Sequence, residues 1–215
     1  MIKIKTDFPV AIDSNDHLFP WGTKRDNSTN NKFIIDIIKY FNLKKIKVLD
    51  LGASGGQLIK DFIPITKLAI GLEGSNYSII HKRANWPQLY NKNLFTCDIS
   101  KEFEIFNDEE KVLFECITAW EVVEHIKTDR LEQFFKNIYN HLADNGIFCC
   151  SVSMDKEPAY GGPKDVWLHE TVWQKQQWLE YLNKLNLFEI IDPVIIQNRV
   201  RNERNSFQLD LKKKI

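Results

Sequence analysis

The stretch Lys47-Val48-Leu49-Asp50-Leu51-Gly52-Ala53-Ser54-Gly55-Gly56, followed by Ala69-Ile70-Gly71-Leu72-Glu73-Gly74, decides the fold of this chain. An apolar strand runs into a glycine-rich turn, and a second strand about twenty residues on ends in a carboxylate. Open α/β sheets build nucleoside sites from this pair of elements at the carboxyl ends of their strands.

The glycine spacing narrows the ligand. A dinucleotide fingerprint, G-x-G-x-x-G, needs glycine again at the third and sixth places, and counting from Gly52 those places hold Ser54 and Gln57. A P-loop fails as well, because no Gly-Lys-Ser/Thr follows the turn. What remains is an acid at the strand end, Asp50, and small residues through Gly56. This resembles motif I of the class I S-adenosylmethionine-dependent methyltransferases, acid-x-Gly-x-Gly-x-Gly, with Ser54 in place of the middle glycine. The resemblance implies that Asp50, Gly52, Ser54 and Gly56 form the turn beneath the methionine half of the cofactor. It further implies that Glu73 accepts both ribose hydroxyls and that Asp98, after the third strand, faces the adenine amino group. A carboxylate suits the ribose because one anion accepts two hydroxyl protons through charge-assisted bonds.

The chain has 215 residues, 43% of them hydrophobic and 12% aromatic, enough for one domain with a full core. Its 29 basic residues balance 29 acidic ones, so no overall field draws it to nucleic acid or to an anionic membrane. No apolar run approaches a membrane span and no signal peptide is visible, which leads to the expectation of a cytoplasmic protein. Cys97, Cys116, Cys149 and Cys150 all lie in apolar, strand-like runs without C-x-x-C spacing, as reduced core thiols would.

Periodicity predicts an alternating fold. After an irregular leader or lid, residues 1 to 27, a helix carrying Phe33, Ile34, Ile37, Ile38 and Phe41 follows a Ser28 or Thr29 cap. Strands are expected at 46–51, 68–73, 94–97, 112–120 and 146–152, then at 188–197 and 206–211. Helices are expected between them, with Ser75 capping one, Asn145-Gly146 closing another, and Thr171 with Gln174 forming a capping box before a third. Residues 28 to 215 are thereby read as a single α/β domain, similar to the seven-stranded, Rossmann-like class I methyltransferase sheet with helices on both faces.

Chemistry is expected after the fourth and fifth strands. If Glu121-Val122-Val123-Glu124-His125 turns helical, Glu121, Glu124 and His125 share one face, and two carboxylates with an imidazole suit a divalent cation, magnesium or manganese. Glu-x-x-Glu-His at this place resembles the quinone-biosynthesis O-methyltransferases and the small-RNA 2′-O-methyltransferases. In the latter the three residues hold a metal with a second histidine after strand five, and His169 is the candidate for that place. The metal-free alternative stays open, with His125 or His169 as general base.

Phe19 and Trp21 in the leader are expected either to fold over the active site and contact the substrate or to cover the sheet edge or a core gap, and Tyr160, Trp167 and Trp173, around Gly161-Gly162-Pro163, are expected to set substrate specificity. The resulting expectation is an S-adenosylmethionine-dependent methyltransferase acting on a hydroxyl of a small molecule or sugar. The alternatives are an RNA 2′-O-methyltransferase, disfavoured by the balanced charge, and an inactive cofactor-binding module.

Overall fold

The computed structural model describes residues 1–193 and 205–214. In chain order the elements are β1 (Ile2–Lys5), α1 (Asn15–Leu18), α2 (Trp21–Arg25), α3 (Asn31–Tyr40), β2 (Lys47–Leu51), α4 (Gln57–Phe62), β3 (Leu68–Glu73), α5 (Tyr77–Ile80) and α6 (Trp86–Leu89). There follow β4 (Leu94–Thr96), β5 (Glu104–Asn107), β6 (Glu110–Lys111), β7 (Phe114–Trp120), α7 (Leu131–His141), β8 (Leu142–Ser153), α8 (Lys175–Leu185), β9 (Phe188–Ile191) and β10 (Ser206–Lys213).

The main sheet has seven strands in the order β4-β3-β2-β7-β8-β10-β9. The first five are parallel, and β10 runs antiparallel to both β8 and β9. Strand order reverses between β2 and β7, so a crevice opens outside their carboxyl ends, where α/β sheets bind ligands. Alternate residues of each strand supply opposite faces. Val48, Ala69, Cys116, Ile147 and Cys149 pack under α3, α4 and Trp86, while Leu49, Leu51, Ile70, Ile117 and Phe148 pack under α7 and α8. Both faces are covered, which is why these strands read as nearly continuous apolar runs. All four cysteines are free and buried.

Several local expectations are corrected. The α3 cap is Asn30, whose Oδ1 accepts from Phe33 N at 3.0 Å, rather than Ser28 or Thr29. Ser75 lies just before α5 and accepts from Tyr77 N, but the N-cap position belongs to Asn76. Asn145-Gly146 does not close α7: the helix ends at His141 and passes straight into β8, and the two residues sit in a register shift against β7. The capping box of α8 pairs Gln174 with Gln177, and Thr171 is occupied elsewhere. Of the expected strand at 188–197, residues 188–191 are strand, and 194–197 lie outside the described residues.

The leader is not irregular throughout. β1 pairs antiparallel with β5, which forms a hairpin with β6, giving a second sheet of three strands. Ile2 and Ile4 are half-buried and Lys3 and Lys5 exposed, an alternation too short to stand out in sequence.

Beneath this second sheet, His141 is fully buried and stacks on Phe103 with ring centroids 4.7 Å apart, its Nδ1 bonded to Asn137 O at 2.7 Å. Burial pushes its pKa down to about 4, from an ordinary 6.5. The folded state therefore binds fewer protons there than the unfolded chain between those values, so the contribution is whole above pH 6.5 and is lost as pH falls toward 4. At most ~3 kcal/mol is at stake. Imidazole resonances of His141 should stay those of the neutral ring down to about pH 5. Titration near its ordinary value would show that burial does not control this ring.

Candidate active site

A cavity of about 640 Å³ lies at the carboxyl ends of β2, β3 and β7. Its floor is the turn after β2. Gly52 has φ +79°, and a Cβ there would meet Val122 Cγ2 at 2.4 Å, so no side chain fits this turn. Ser54, standing where motif I has its middle glycine, also has a left-handed backbone, φ +44°. Its N–H donates to Glu73 Oε2 at 2.8 Å, its hydroxyl donates to Asp26 O at 2.7 Å, and its carbonyl accepts from Trp86 Nε1 at 2.6 Å. Those partners hold Ser54 in a conformation that costs a non-glycine residue on the order of 1 kcal/mol.

Glu73 ends β3 at the cavity wall, 8% exposed. Burial raises its pKa, and the N–H groups of Ser75 and Ser54 oppose that shift. Asp98 also lines the cavity, its Oδ1 accepting from Ser100 N at 3.0 Å and Ser100 Oγ at 2.6 Å. Two motif residues stand back from the cavity. Asp50 accepts from Thr118 Oγ1 at 2.6 Å, joining β2 to β7, and Gly56 is the N-cap of α4 against Leu94.

On the opposite wall, β7 ends at Trp120 and Glu121 adopts φ +54°, after which Val123–His125 make one 3₁₀ turn. That left-handed residue breaks the helical face expected of Glu121, Glu124 and His125. Glu121 stays exposed in the cavity that Gly52 and Ser54 also line, and Glu124 turns inward with no exposed surface. The Glu124 Oε1 accepts from Ser153 N at 2.9 Å, and its Oε2, buried, has no hydrogen-bond partner. Burial pushes the Glu124 carboxyl up to about 7, against the pull of His125.

The segment after β8 is fastened to this turn. Glu170 N and Thr171 N both donate to Glu124 O at 2.9 Å, and Thr171 Oγ1 donates to Ile126 O at 2.7 Å, which is the work that keeps Thr171 from capping α8. His169 is thereby carried to His125, ring centroids 4.7 Å apart. Among the described residues Glu124, His125 and His169 form a cluster whose candidate ligand atoms lie within 4.8 Å of one another, and Glu121 is not part of it. His169 Nδ1 bonds Asp155 O, and Nε2 lies 3.1 Å from Glu157 Oε2. His125 Nδ1 lies 2.6 Å from Asp16 Oδ2. Burial disfavours the imidazolium of His125, but Asp16 and then Glu124 outweigh it and raise the pKa to about 10.

The N-terminal segment roofs the cavity, to which it contributes Asp16, His17, Trp21 and Thr23. Ala11 N donates to Gly74 O, Asp98 N donates to Phe8 O, and Arg83 donates to the carbonyls of Lys24 and Asp26. Trp21 stacks on Tyr160 at 4.7 Å, with the Arg25 guanidinium 3.3 Å from its ring centre. Trp167 is exposed under Lys156, and Trp173 packs on Trp178 and Tyr181, away from the site. Asp16 and Glu157 were not legible as site residues, because contact with a histidine far along the chain leaves no mark in local spacing.

Residues 26–190 match the sequence model of the family described as methyltransferase domain. The chain belongs to that family. It is an S-adenosylmethionine-dependent methyltransferase of class I, with the seven-stranded sheet and flanking helices of that fold. No curated protein matches the sequence significantly. Among solved structures, the methyltransferase is similar to an S-adenosylmethionine-dependent methyltransferase from Clostridium acetobutylicum ATCC 824, at 18% identity and TM-score 0.60 over 93% of this chain and 97% of that one. It is also similar to the glycopeptide N-methyltransferase MtfA complexed with sinefungin, at 14% identity and TM-score 0.57 over 87% and 95%. A third similar structure is magnesium protoporphyrin IX methyltransferase from Synechocystis PCC 6803, at 13% identity and TM-score 0.55 over 94% and 96%.

If Glu73 receives the ribose, Glu73→Gln in this methyltransferase should weaken S-adenosylhomocysteine binding about ten- to a hundredfold, the loss of charge-assisted bonds worth about 1.5 to 3 kcal/mol. Calorimetry settles this, and an unchanged Kd removes Glu73 from the cofactor site.

Proposed function

We propose that this methyltransferase transfers the methyl group of S-adenosylmethionine to a hydroxyl oxygen of a small molecule or sugar, at a site where Glu124, His125 and His169 hold a divalent cation, magnesium or manganese. The observation that carries this reading is the buried Glu124 carboxylate, whose Oε2 has no hydrogen-bond partner and which offers an oxygen within 4.8 Å of a nitrogen from each of the two histidines. An unsatisfied carboxylate oxygen in such a place costs about 1 to 3 kcal/mol or more, a cost that a cation removes. The donor set, one carboxylate and two imidazoles, fits magnesium less well than manganese, which accepts both kinds of ligand.

A bound cation lowers the pKa of a nearby hydroxyl. The remaining work falls to the chain itself. The sulfonium already makes the methyl an electrophile, so the protein must hold the nucleophile in line and dispose of its proton. Glu73 and Asp98 are assigned to the ribose and the adenine, and the Gly52–Gly56 turn to the methionine half. Glu121, exposed in the cavity that Gly52 and Ser54 also line, is assigned to the cofactor's amino group. Trp21 lines the cavity, braced by Tyr160 and the Arg25 guanidinium, and an aromatic with polar neighbours suits a sugar or aromatic ring. The neutral overall charge supports a small acceptor over a nucleic acid.

Manganese added to metal-free protein should bind at one equivalent, and Glu124→Gln should abolish that binding while S-adenosylhomocysteine affinity stays within about twofold. Calorimetry or electron paramagnetic resonance reads both. A wild-type protein that binds no manganese overturns the metal site and leaves His125 or His169 to act as base.

A further inference from the structure

We infer that Asp16, supplied by the N-terminal segment, is a positioning residue that fixes the imidazole of His125. This rests on the proposed role of His125 at the acceptor site and adds to it a residue more than a hundred positions away in sequence. The contact is short and charged: Asp16 Oδ2 lies 2.6 Å from His125 Nδ1. It is also sheltered, the two side chains being 31% and 18% exposed, and so is screened less than a surface pair.

A carboxylate this close to one ring nitrogen favours keeping the proton there, so Nε2 is the nitrogen that gives up its proton when the ring meets a cation or a base. His169 is likewise held at Nδ1, by the Asp155 carbonyl, while its Nε2 faces Glu157 Oε2 at 3.1 Å. The two imidazoles are thus each secured at Nδ1 by a different part of the chain. One anchor is backbone next to β8, and the other is a side chain that arrives from outside the sheet altogether.

Asp16 is itself held on both sides. Its N–H donates to Ser14 Oγ at 3.2 Å, which caps α1. On one flank Asp13 takes a two-pronged bond from Arg130, and its carbonyl accepts from Lys127 Nζ at 3.2 Å. On the other flank Asn15 Nδ2 donates to Trp167 O at 2.9 Å and to Glu170 Oε1 at 2.7 Å. Asp13 and Asn15 therefore pin α1 to the segments that carry His125 and His169 respectively. A carboxylate clamped from both sides holds a ring to the tolerance that catalysis and metal binding need.

The test is Asp16→Asn, with Asp16→Glu as the conservative partner, in the full-length chain. Nitrogen-15 and proton NMR at neutral pH should show a slowly exchanging His125 Nδ1–H in the wild type that is lost in Asp16→Asn and returns in Asp16→Glu. Manganese affinity should fall ten- to a hundredfold in Asp16→Asn, as for other carboxylates behind a metal-binding histidine. S-adenosylhomocysteine affinity and melting temperature should hold in both variants, which separates positioning from a structural role. Retention of the Nδ1–H signal in Asp16→Asn together with unchanged manganese affinity overturns the proposal. If the wild type binds no manganese, the metal reading fails by itself and the Nδ1–H signal decides: lost in Asp16→Asn it supports the positioning role, retained it refutes it.

Discussion

One buried carboxylate ties the cofactor side of the molecule together. Glu73 accepts from Ser54 N, which fixes the turn after β2, and from Ser75 N, which fixes the exit from β3; Thr23 Oγ1 also reaches it, at 3.4 Å. A carboxylate at 8% exposure is tolerated only because backbone donors meet it. The same donors are unpaired if it is absent, so the turn, the strand end and the carboxylate stand or fall together. Ser54 then extends the chain of dependence outward through its hydroxyl to Asp26.

The opposite wall is assembled on a different rule. There, the backbone carbonyl of Glu124 receives two N–H groups from the segment after β8 while its side chain receives one from Ser153. Backbone groups in a loop need partners as much as those in a strand. By meeting that need across two loops, the chain places His169 beside His125 without any regular element spanning the gap. The ion pair between Arg130 and Asp13 adds little energy where Asp13 is half exposed, and its use is in registering the N-terminal segment.

The turn and strand end assigned to the cofactor were legible in sequence as structure because they are local. β3 runs from Leu68 to Glu73 as periodicity predicts, and the turn follows β2 where its small residues demand. The acceptor half was legible in composition but not in geometry. Glu121, Glu124 and His125 have helical spacing, yet a single left-handed residue at 121 separates the first from the others, and an acid in that conformation has no sequence signal. Asp50 fits motif I, but its carboxylate serves Thr118 within the sheet. Trp173 was weighed with the substrate aromatics and belongs to the core around α8, since the capping box at Gln174 starts the helix just beyond it. The second sheet went unread because its strands are short and β1 meets the β5–β6 hairpin only across about a hundred residues of sequence.

Thr23 brings a hydroxyl of the protein's own to the carboxylate assigned to the ribose. An incoming nucleoside therefore exchanges one alcohol for another at Glu73, and the empty protein is spared a bare buried anion. The exchange has a kinetic side. If the nucleoside binds at Glu73 as proposed, the segment would have to withdraw its threonine against the hold of Ser54 and Arg83 on the Asp26 and Lys24 carbonyls, which would gate arrival and departure. On the proposed assignment, release of spent cofactor would be tied to the opening of a stretch of chain that contributes no strand to the main sheet.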